Sequence, residues 1–450
     1  MKILWVCNVL LPAMAREYGL EASNKEGWLS GLLDVILEKQ KENGITLAVA
    51  FPAPEEILSP GENLTKREMT LAGAKVTGYG FREDTVRPDL YDEGLEDTVR
   101  RIWEDYAPDV IHCFGTEYPH TLAVCRTFPD KKRLLITIQG LCSVYADAYY
   151  ANLPENVIRR VTFRDFLKKD SIPAQREKFV RRGEMEKEAV ALAGNVGGRT
   201  PWDRKYAGLW NGDARYFLMN ETLRGVFYEG RWDPGQCIPH SIFLSQGDYP
   251  IKGLHYVLQA MPEILKRFPD ARVYVAGNVI TAYDTLKEKL KISSYGKYLR
   301  SLIKEHELTD KVIFLGRLDA AQMKEQYLRS SLFLCPSSIE NSPNSLGEAM
   351  ILGMPCVSAD VGGVEGIFDG ERDGILYQGF GGGRDAGEIA GNLAQAVITL
   401  WSDPAREAAC RENAREHALR NHDREENYRN TIRVYGQIAR GSLMENGAGE

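Results

Sequence analysis

Two glutamates, Glu340 and Glu348, bracket the turn Asn341-Ser342-Pro343 and the start of an apolar repeat at Leu346, Ala349 and Met350. The repeat has helical spacing. Ser342 reads as its N-cap and Pro343 as its first residue, where a missing N–H costs nothing. The preceding run Ser331–Cys335 reads as a strand stopped by Pro336. A helix N-terminus after a strand is an anion site, because its first amides have no acceptor inside the helix. Carboxylates repel phosphate but accept hydrogen bonds from hydroxyls. The stretch therefore suits a ligand with a diphosphate in the middle and a polyol at each end, such as a nucleotide-sugar. By spacing alone the pair also fits a surface glutamate beside a helix-start charge.

A cation is needed beside such a diphosphate. Lys252-Gly253 follows a strand-like run, Ser241–Ser245, and a turn, and opens the next helical pattern. A lysine on such a loop can reach a phosphate as a point charge. No G-x-G-x-x-G follows Cys7 or Ala276, no Walker-type loop occurs, and no Asp-x-Asp is present to hold a diphosphate-bound metal. These absences weigh against nicotinamide or flavin chemistry. They predict a site with no cofactor and no metal, neutralised by amides and side chains. Six of the seven histidines, at 112, 120, 240, 255, 306 and 417, lack ligand spacing and read as structural.

The elements that must position these residues alternate along the chain. In the first half, strand-like runs at 2–7, 45–51, 76–81, 109–114, 133–138 and 215–219 separate helical patterns such as 28–39 and 94–106. In the second half, strand-like runs at 241–245, 272–276, 312–315, 331–335, 356–358 and 374–377 do the same. Continuous apolar strands alternating with amphipathic helices predict parallel sheets covered on both faces. Ligands of such sheets sit at the carboxyl ends of strands, which directs attention to Asn8, Gly115-Thr116-Glu117 and Gln139-Gly140. The pattern breaks around 228–235. The expected domains are 1–228 and 235–420, with a long last helix from His422 and a flexible tail at 441–450.

At 450 residues the chain is too long for one ordinary core. Its net charge of −7 gives no global attraction to nucleic acid. The 8 cysteines are scattered without a C-x-x-C pair and read as reduced core residues of a cytoplasmic protein. Met1–Pro12 reads as a buried first strand rather than a signal peptide, and no apolar run reaches membrane-spanning length. Residues 157–187 concentrate Arg and Lys among apolar side chains. They read either as a solvated helical face or as a surface that meets an anionic membrane or a lipid-phosphate acceptor.

With these residues in place, the chain resembles the retaining glycosyltransferases of family 4 over nearly its whole length. Glu340 and Glu348 match that family's E-x7-E motif, and Lys252-Gly253 its Lys-Gly. Phe314-Leu315-Gly316, followed by Arg317, looks like its Phe-x-Gly. Gly198-Arg199-Thr200-Pro201-Trp202-Asp203 resembles a first-domain segment of some members. The resemblance implies the GT-B fold, two doubly wound Rossmann-like domains facing a central cleft, with the helix at 422–440 crossing back onto the first. It implies transfer of a hexosyl unit, with retention, from a nucleotide-diphosphate sugar to a glycan or lipid-linked acceptor. Glu340 would contact the donor sugar, Glu348 the ribose, and Asn344, Ser345 and Lys252 the diphosphate. Glu117 and Arg199 fall on the acceptor side, although each also reads as structural and Arg199 as a partner of Asp203.

The departures are specific. Gln246 stands where many members have an arginine, and Arg317 is the candidate replacement. Gln139 stands where a first-domain strand often ends in a sugar-contacting histidine. Glu26-Gly27 replaces a Gly-Gly, and Asn341-Ser342-Pro343 replaces Gly-Phe-Gly after the first glutamate. Two other readings stay open: a nucleotide-sugar epimerase or hydrolase on the same fold, and a non-catalytic partner in a glycan-assembly complex.

Overall fold

The computed structural model describes residues 1–21 and 27–446. Glu26 of the Glu26-Gly27 pair, and the tail beyond Asn446, lie outside them. The chain divides into two compact units. The first comprises 1–143, 178–224 and the chain from His422; the second comprises 144–177 and 225–421. Residues 144–177 thus pack with the second unit, although their position in the sequence places them in the first half. The helix Ile172–Leu192 passes from one unit to the other.

The first unit is built on an eight-stranded sheet: β1 (Lys2–Val6), β2 (Thr46–Pro52), β3 (Leu64–Leu71), β4 (Ala74–Phe81), β5 (Val110–Phe114), β6 (Leu134–Thr137), β7 (Asn195–Gly198) and β8 (Arg215–Leu218). Their order is β3-β4-β2-β1-β5-β6-β7-β8. All neighbours are parallel except the hairpin β3–β4. Its turn, Ala72-Gly73, has both residues at positive φ, the geometry that matches the twist of two paired strands. Two strands escape a reading for apolar runs. β3 is a largely polar edge strand, and β7 is the short, glycine-ended Asn-Val-Gly-Gly.

The last helix runs Arg424–Asn446 and therefore continues through the first six residues expected as a flexible tail. Tyr428, Val434, Tyr435 and Ile438 pack into the first unit's core with Trp5, Leu33 and Val49. Tyr435 ties this helix to two strands. Trp5 Nε1 donates to its hydroxyl at 2.9 Å, and His112 Nδ1 lies 2.7 Å from the same oxygen. The tyrosine proton therefore points at Nδ1, and His112 Nε2–H faces Thr137 Oγ1 at 3.2 Å. Burial holds His112 down to about 3, so the ring stays neutral.

The second unit holds a six-stranded parallel sheet: β9 (Ile238–Leu244), β10 (Arg272–Ala276), β11 (Val312–Gly316), β12 (Ser330–Cys335), β13 (Cys356–Asp360) and β14 (Ile375–Gln378). Their order is β11-β10-β9-β12-β13-β14. The chain winds outward one way from β9 and the other way from β12. The crevice at the carboxyl ends of those two strands is thus the switch point where open sheets of this kind take ligands. In the first unit the corresponding switch lies between β1 and β5.

Candidate active site

The second unit places Lys252 and Glu340 at that switch point. Lys252 ends a single 3-10 turn, Pro250–Lys252, after β9. Gly253 follows with φ +73° and caps the helix Leu254–Arg267. A Cβ on Gly253 would lie 1.9 Å from the Pro336 carbonyl oxygen, so only glycine lets the two loops close on each other. Ser338 N donates to Ile251 O at 2.7 Å and completes the seam.

Glu340 is held in the same way from its other side. Gly363 N donates to Glu340 O at 2.9 Å, and a Cβ on Gly362 would lie 2.0 Å from that oxygen. This is the physical role of the Val361-Gly362-Gly363-Val364 run after β13. The Glu340 side chain is 9% exposed. Its Oε1 accepts from Lys252 Nζ at 2.6 Å and from Ser337 Oγ at 2.7 Å. Burial works against the Lys252 charge, but the Glu340 carboxylate outweighs it and holds the ammonium above its ordinary pKa. Lys252 is therefore charged at neutral pH.

The helix Asn344–Leu352 begins one residue later than expected. Pro343, not Ser342, takes the cap position, with extended backbone and no side-chain cap bond. Asn344 and Ser345 are therefore the first two helical residues, and the helix geometry offers no acceptor for their amides. Glu348 is buried on this helix, and Tyr327 OH donates to its Oε2 at 3.3 Å and to Ser345 O at 3.0 Å. Arg317, after β11, is exposed and donates to Asn278 Oδ1 at 2.8 Å. Asn278 Nδ2 in turn reaches Asp248 Oδ2 at 2.5 Å, in the turn that leads to Lys252. The second unit thus brings Lys252 onto Glu340, with Asn344, Ser345 and Glu348 on the helix that follows. Arg317 sits two strands from β9, linked through Asn278. Ser337, Tyr327, Asn278 and Asp248 were missed by sequence reasoning, since none stands in a motif, and all but Ser337 act through a partner in another element.

In the first unit, Arg199 is internal, with a different carboxylate partner from the one expected. Its guanidinium is buried and pairs with Glu221 Oε2 at 2.6 Å, not with Asp203. Asp203 instead caps the helix Pro201–Trp210, accepting from Arg199 N at 2.8 Å. Arg199 Nη2 donates to the Gln139 carbonyl at 2.9 Å, and His422 Nδ1 lies 2.7 Å from the Glu221 carbonyl. Gln139 is thereby fixed through its backbone, beside a cavity of about 30 Å³ that His112, Arg199, Glu221 and Thr431 also line. Such a volume holds about one water.

Glu117 also turns inward. Its Oε2 is buried with no hydrogen-bond partner, and burial raises its pKa against the pull of Arg182. Nearby Glu186, fully buried, accepts from Thr116 Oγ1 at 2.8 Å. The open feature at the β1/β5 switch is a groove of about 570 Å³ lined by Asn8, Pro52, Glu56, Glu83 and Tyr118 among others. Among the described residues no group of three or more His, Cys, Asp or Glu could hold a metal ion, and no helix is long and apolar enough to cross a membrane. Seven of the eight cysteines are buried.

Comparison with known proteins adds a match to part of the chain. Residues 240–417 match the family model described as glycosyl transferases group 1. An uncharacterized glycosyltransferase, MJ1607, of Methanocaldococcus jannaschii is 31% identical over 124 residues, 28% of either chain. The putative glycosyltransferase YtcC of Bacillus subtilis is 29% identical over 29% of this chain and 30% of its own. The matches thus span less than a third of these curated relatives. Among solved structures, sucrose-phosphate synthase from Thermosynechococcus elongatus superposes with a TM-score of 0.63 at 15% identity, covering 97% of this chain and 99% of that one. Anabaena HepE in complex with UDP-glucose gives 0.62 at 16%, covering 99% and 100%. The segment 240–417, which carries Lys252, Glu340 and Glu348, matches the glycosyl transferases group 1 model, on a chain whose fold is GT-B.

Proposed function

We propose that the protein is a retaining glycosyltransferase that moves a hexosyl unit from a nucleotide-diphosphate sugar to a glycan or lipid-linked acceptor without a metal. The observation that carries this is the Lys252–Glu340 pair, largely withdrawn from solvent, beside the first turn of the helix that holds Glu348. A buried ion pair is costly to keep and weakly stabilising, so structure alone gives little reason for it. A bound diphosphate gives one. It would take Lys252 as its counter-ion together with the amides of Asn344 and Ser345, and leave Glu340 to accept from sugar hydroxyls. Glu348 would accept from the ribose.

As the glycosidic bond breaks, negative charge grows on the departing phosphate oxygen. Groups aimed there then stabilise the transition state more than the ground state. The acceptor hydroxyl would attack from the same face and pass its proton to that oxygen, which retains configuration. In the first unit, the groove with Glu56 and Tyr118 offers acceptors and an aromatic face, as a sugar requires.

HepE was crystallised with UDP-glucose, so that donor is tried first. The test incubates the full chain with a panel of labelled nucleotide-sugars, with and without chelator. Donor-dependent transfer that survives chelation and collapses in Glu340→Gln is expected. Absence of donor binding and turnover, or a Glu340→Gln variant equal to the parent, overturns the proposal. Turnover of donor with no acceptor would favour the epimerase or hydrolase reading instead.

A further inference from the structure

The second unit carries an apolar surface that its own core does not use. Val161, Phe163, Phe166 and Leu167 are 57%, 56%, 72% and 63% exposed, on and beside the short helix Phe163–Lys168. The helix Leu286–Lys291 packs next to it and exposes Leu286 at 74% and Leu290 at 47%. Of the large apolar side chains exposed among the described residues, these six lie on or beside two neighbouring helices. A contiguous apolar patch of this kind marks an interaction surface.

The presentation is rigid. Thr162 and Asp165 form a capping box at the start of Phe163–Lys168. Asp165, itself buried, also accepts from Ser294 N at 3.0 Å, and Ser294 Oγ donates to Val157 O at 2.7 Å. Arg164 braces the same turn through Asp165 and Asp170, both at 3.1 Å. The phenyl rings are therefore held outward by buried anchors.

The charge around the patch selects the partner. Residues 159–170 and 284–291 together contain 8 Lys or Arg against 4 Asp or Glu, in a chain of net charge −7. Asp165 is buried and Glu288 is occupied by backbone amides of its own cap. Lys168, Lys169, Lys287, Lys289 and Lys291 are exposed at the rim. By contrast, the arginines farther along the basic segment point elsewhere. Arg181 pairs with buried Asp89 at 2.5 Å, and Arg182 bonds the Glu117 carbonyl and lies over Tyr118. Apolar side chains ringed by lysines match the boundary of an anionic bilayer, where tails take the former and headgroups the latter.

We infer that the helices Phe163–Lys168 and Leu286–Lys291 form one docking surface for an anionic lipid bilayer. The inference stands apart from the proposed chemistry, since none of these residues belongs to the candidate active site.

Co-sedimentation of the full chain with phosphatidylcholine–phosphatidylglycerol vesicles, against pure phosphatidylcholine, tests it. Binding to the anionic vesicles that weakens with salt is expected. Phe166→Glu with Leu167→Glu, and separately Leu286→Glu, should lower that binding about tenfold or more, as burial of each such side chain contributes. Because these positions are exposed, both variants should melt as the parent does, and transfer to a soluble acceptor should be unchanged. Failure of the parent to bind anionic vesicles overturns the inference, as does binding undiminished in both variants. So does a parent dimer in sedimentation velocity that the variants dissolve without any effect on vesicle binding, because the surface then belongs to a second copy of the chain.

Discussion

Lys252 and Glu340 neutralise each other at 2.6 Å in a site where one of the two is nearly buried. Removing one partner leaves the other charge uncompensated, whereas removing both does not. Lys252→Ala should therefore lower the Tm more than Lys252→Ala combined with Glu340→Gln, while both abolish donor turnover. Thermal melts beside a donor assay separate the structural from the catalytic share. Glu186 gives a second residue-level test. Burial raises its carboxyl, opposed by the Thr116 hydrogen bond and assisted by Glu117, to about 8 from an ordinary 4.5. Above pH 4.5 the folded chain then holds a proton that the unfolded chain has released. The stability from neutral Glu186 is thus full below that pH and lost as pH rises to about 8. The loss is at most about 1.4 kcal/mol per pH unit. Glu186→Gln should flatten the fall in Tm between pH 6 and pH 8.5, values set about the titration window. The site glutamates and Lys252 were legible because their spacing is local. Glu221, Ser337 and Tyr327 were not, since none stands in a motif, and Tyr327 and Glu221 meet Glu348 and Arg199 from other elements. Arg199 was legible as a motif residue but misread, because a sequence does not show which carboxylate a guanidinium will meet.

At the scale of elements, close approach of loops decides what glycine does. Gly19 and Gly253 have nearly the same φ, +72° and +73°, but a Cβ meets nothing within 4 Å at Gly19 and the Pro336 oxygen at 1.9 Å at Gly253. Gly19→Ala should cost only the left-handed strain, about 1 kcal/mol. Gly253→Ala should cost more and displace the Lys252 turn, so donor turnover falls with it; paired denaturation curves and assays check this. The helix Asn344–Leu352 supplies the other test. Proline is tolerated in a first turn, so Ser345→Pro should leave the Tm near that of Ser345→Ala yet weaken donor binding further, because it deletes an amide. All six strands of the second sheet were legible as apolar runs bounded by turns. β3 and β7 were not, because an edge strand need not be apolar and a four-residue strand with two glycines has no period to detect.

At the scale of the molecule, the last helix is part of the first unit's core. Tyr435→Phe would leave Trp5 Nε1 and His112 Nδ1 without their shared partner, a loss of about 1–3 kcal/mol on denaturation. Two doubly wound units were legible from the alternation of strand and helix runs. The packing of residues 144–177 with the second unit was not, because chain order does not reveal which neighbour a helical excursion joins.

That the first unit needs three separate stretches of chain bears on how it is made. The second unit's main stretch, 225–421, emerges from the ribosome in one piece, whereas the first unit's core stays incomplete until Tyr428, Val434, Tyr435 and Ile438 arrive. The part begun first is completed last. A released chain truncated after Asn421 should therefore show a protease-sensitive first sheet beside a resistant 225–421 stretch, and limited proteolysis would read that difference directly.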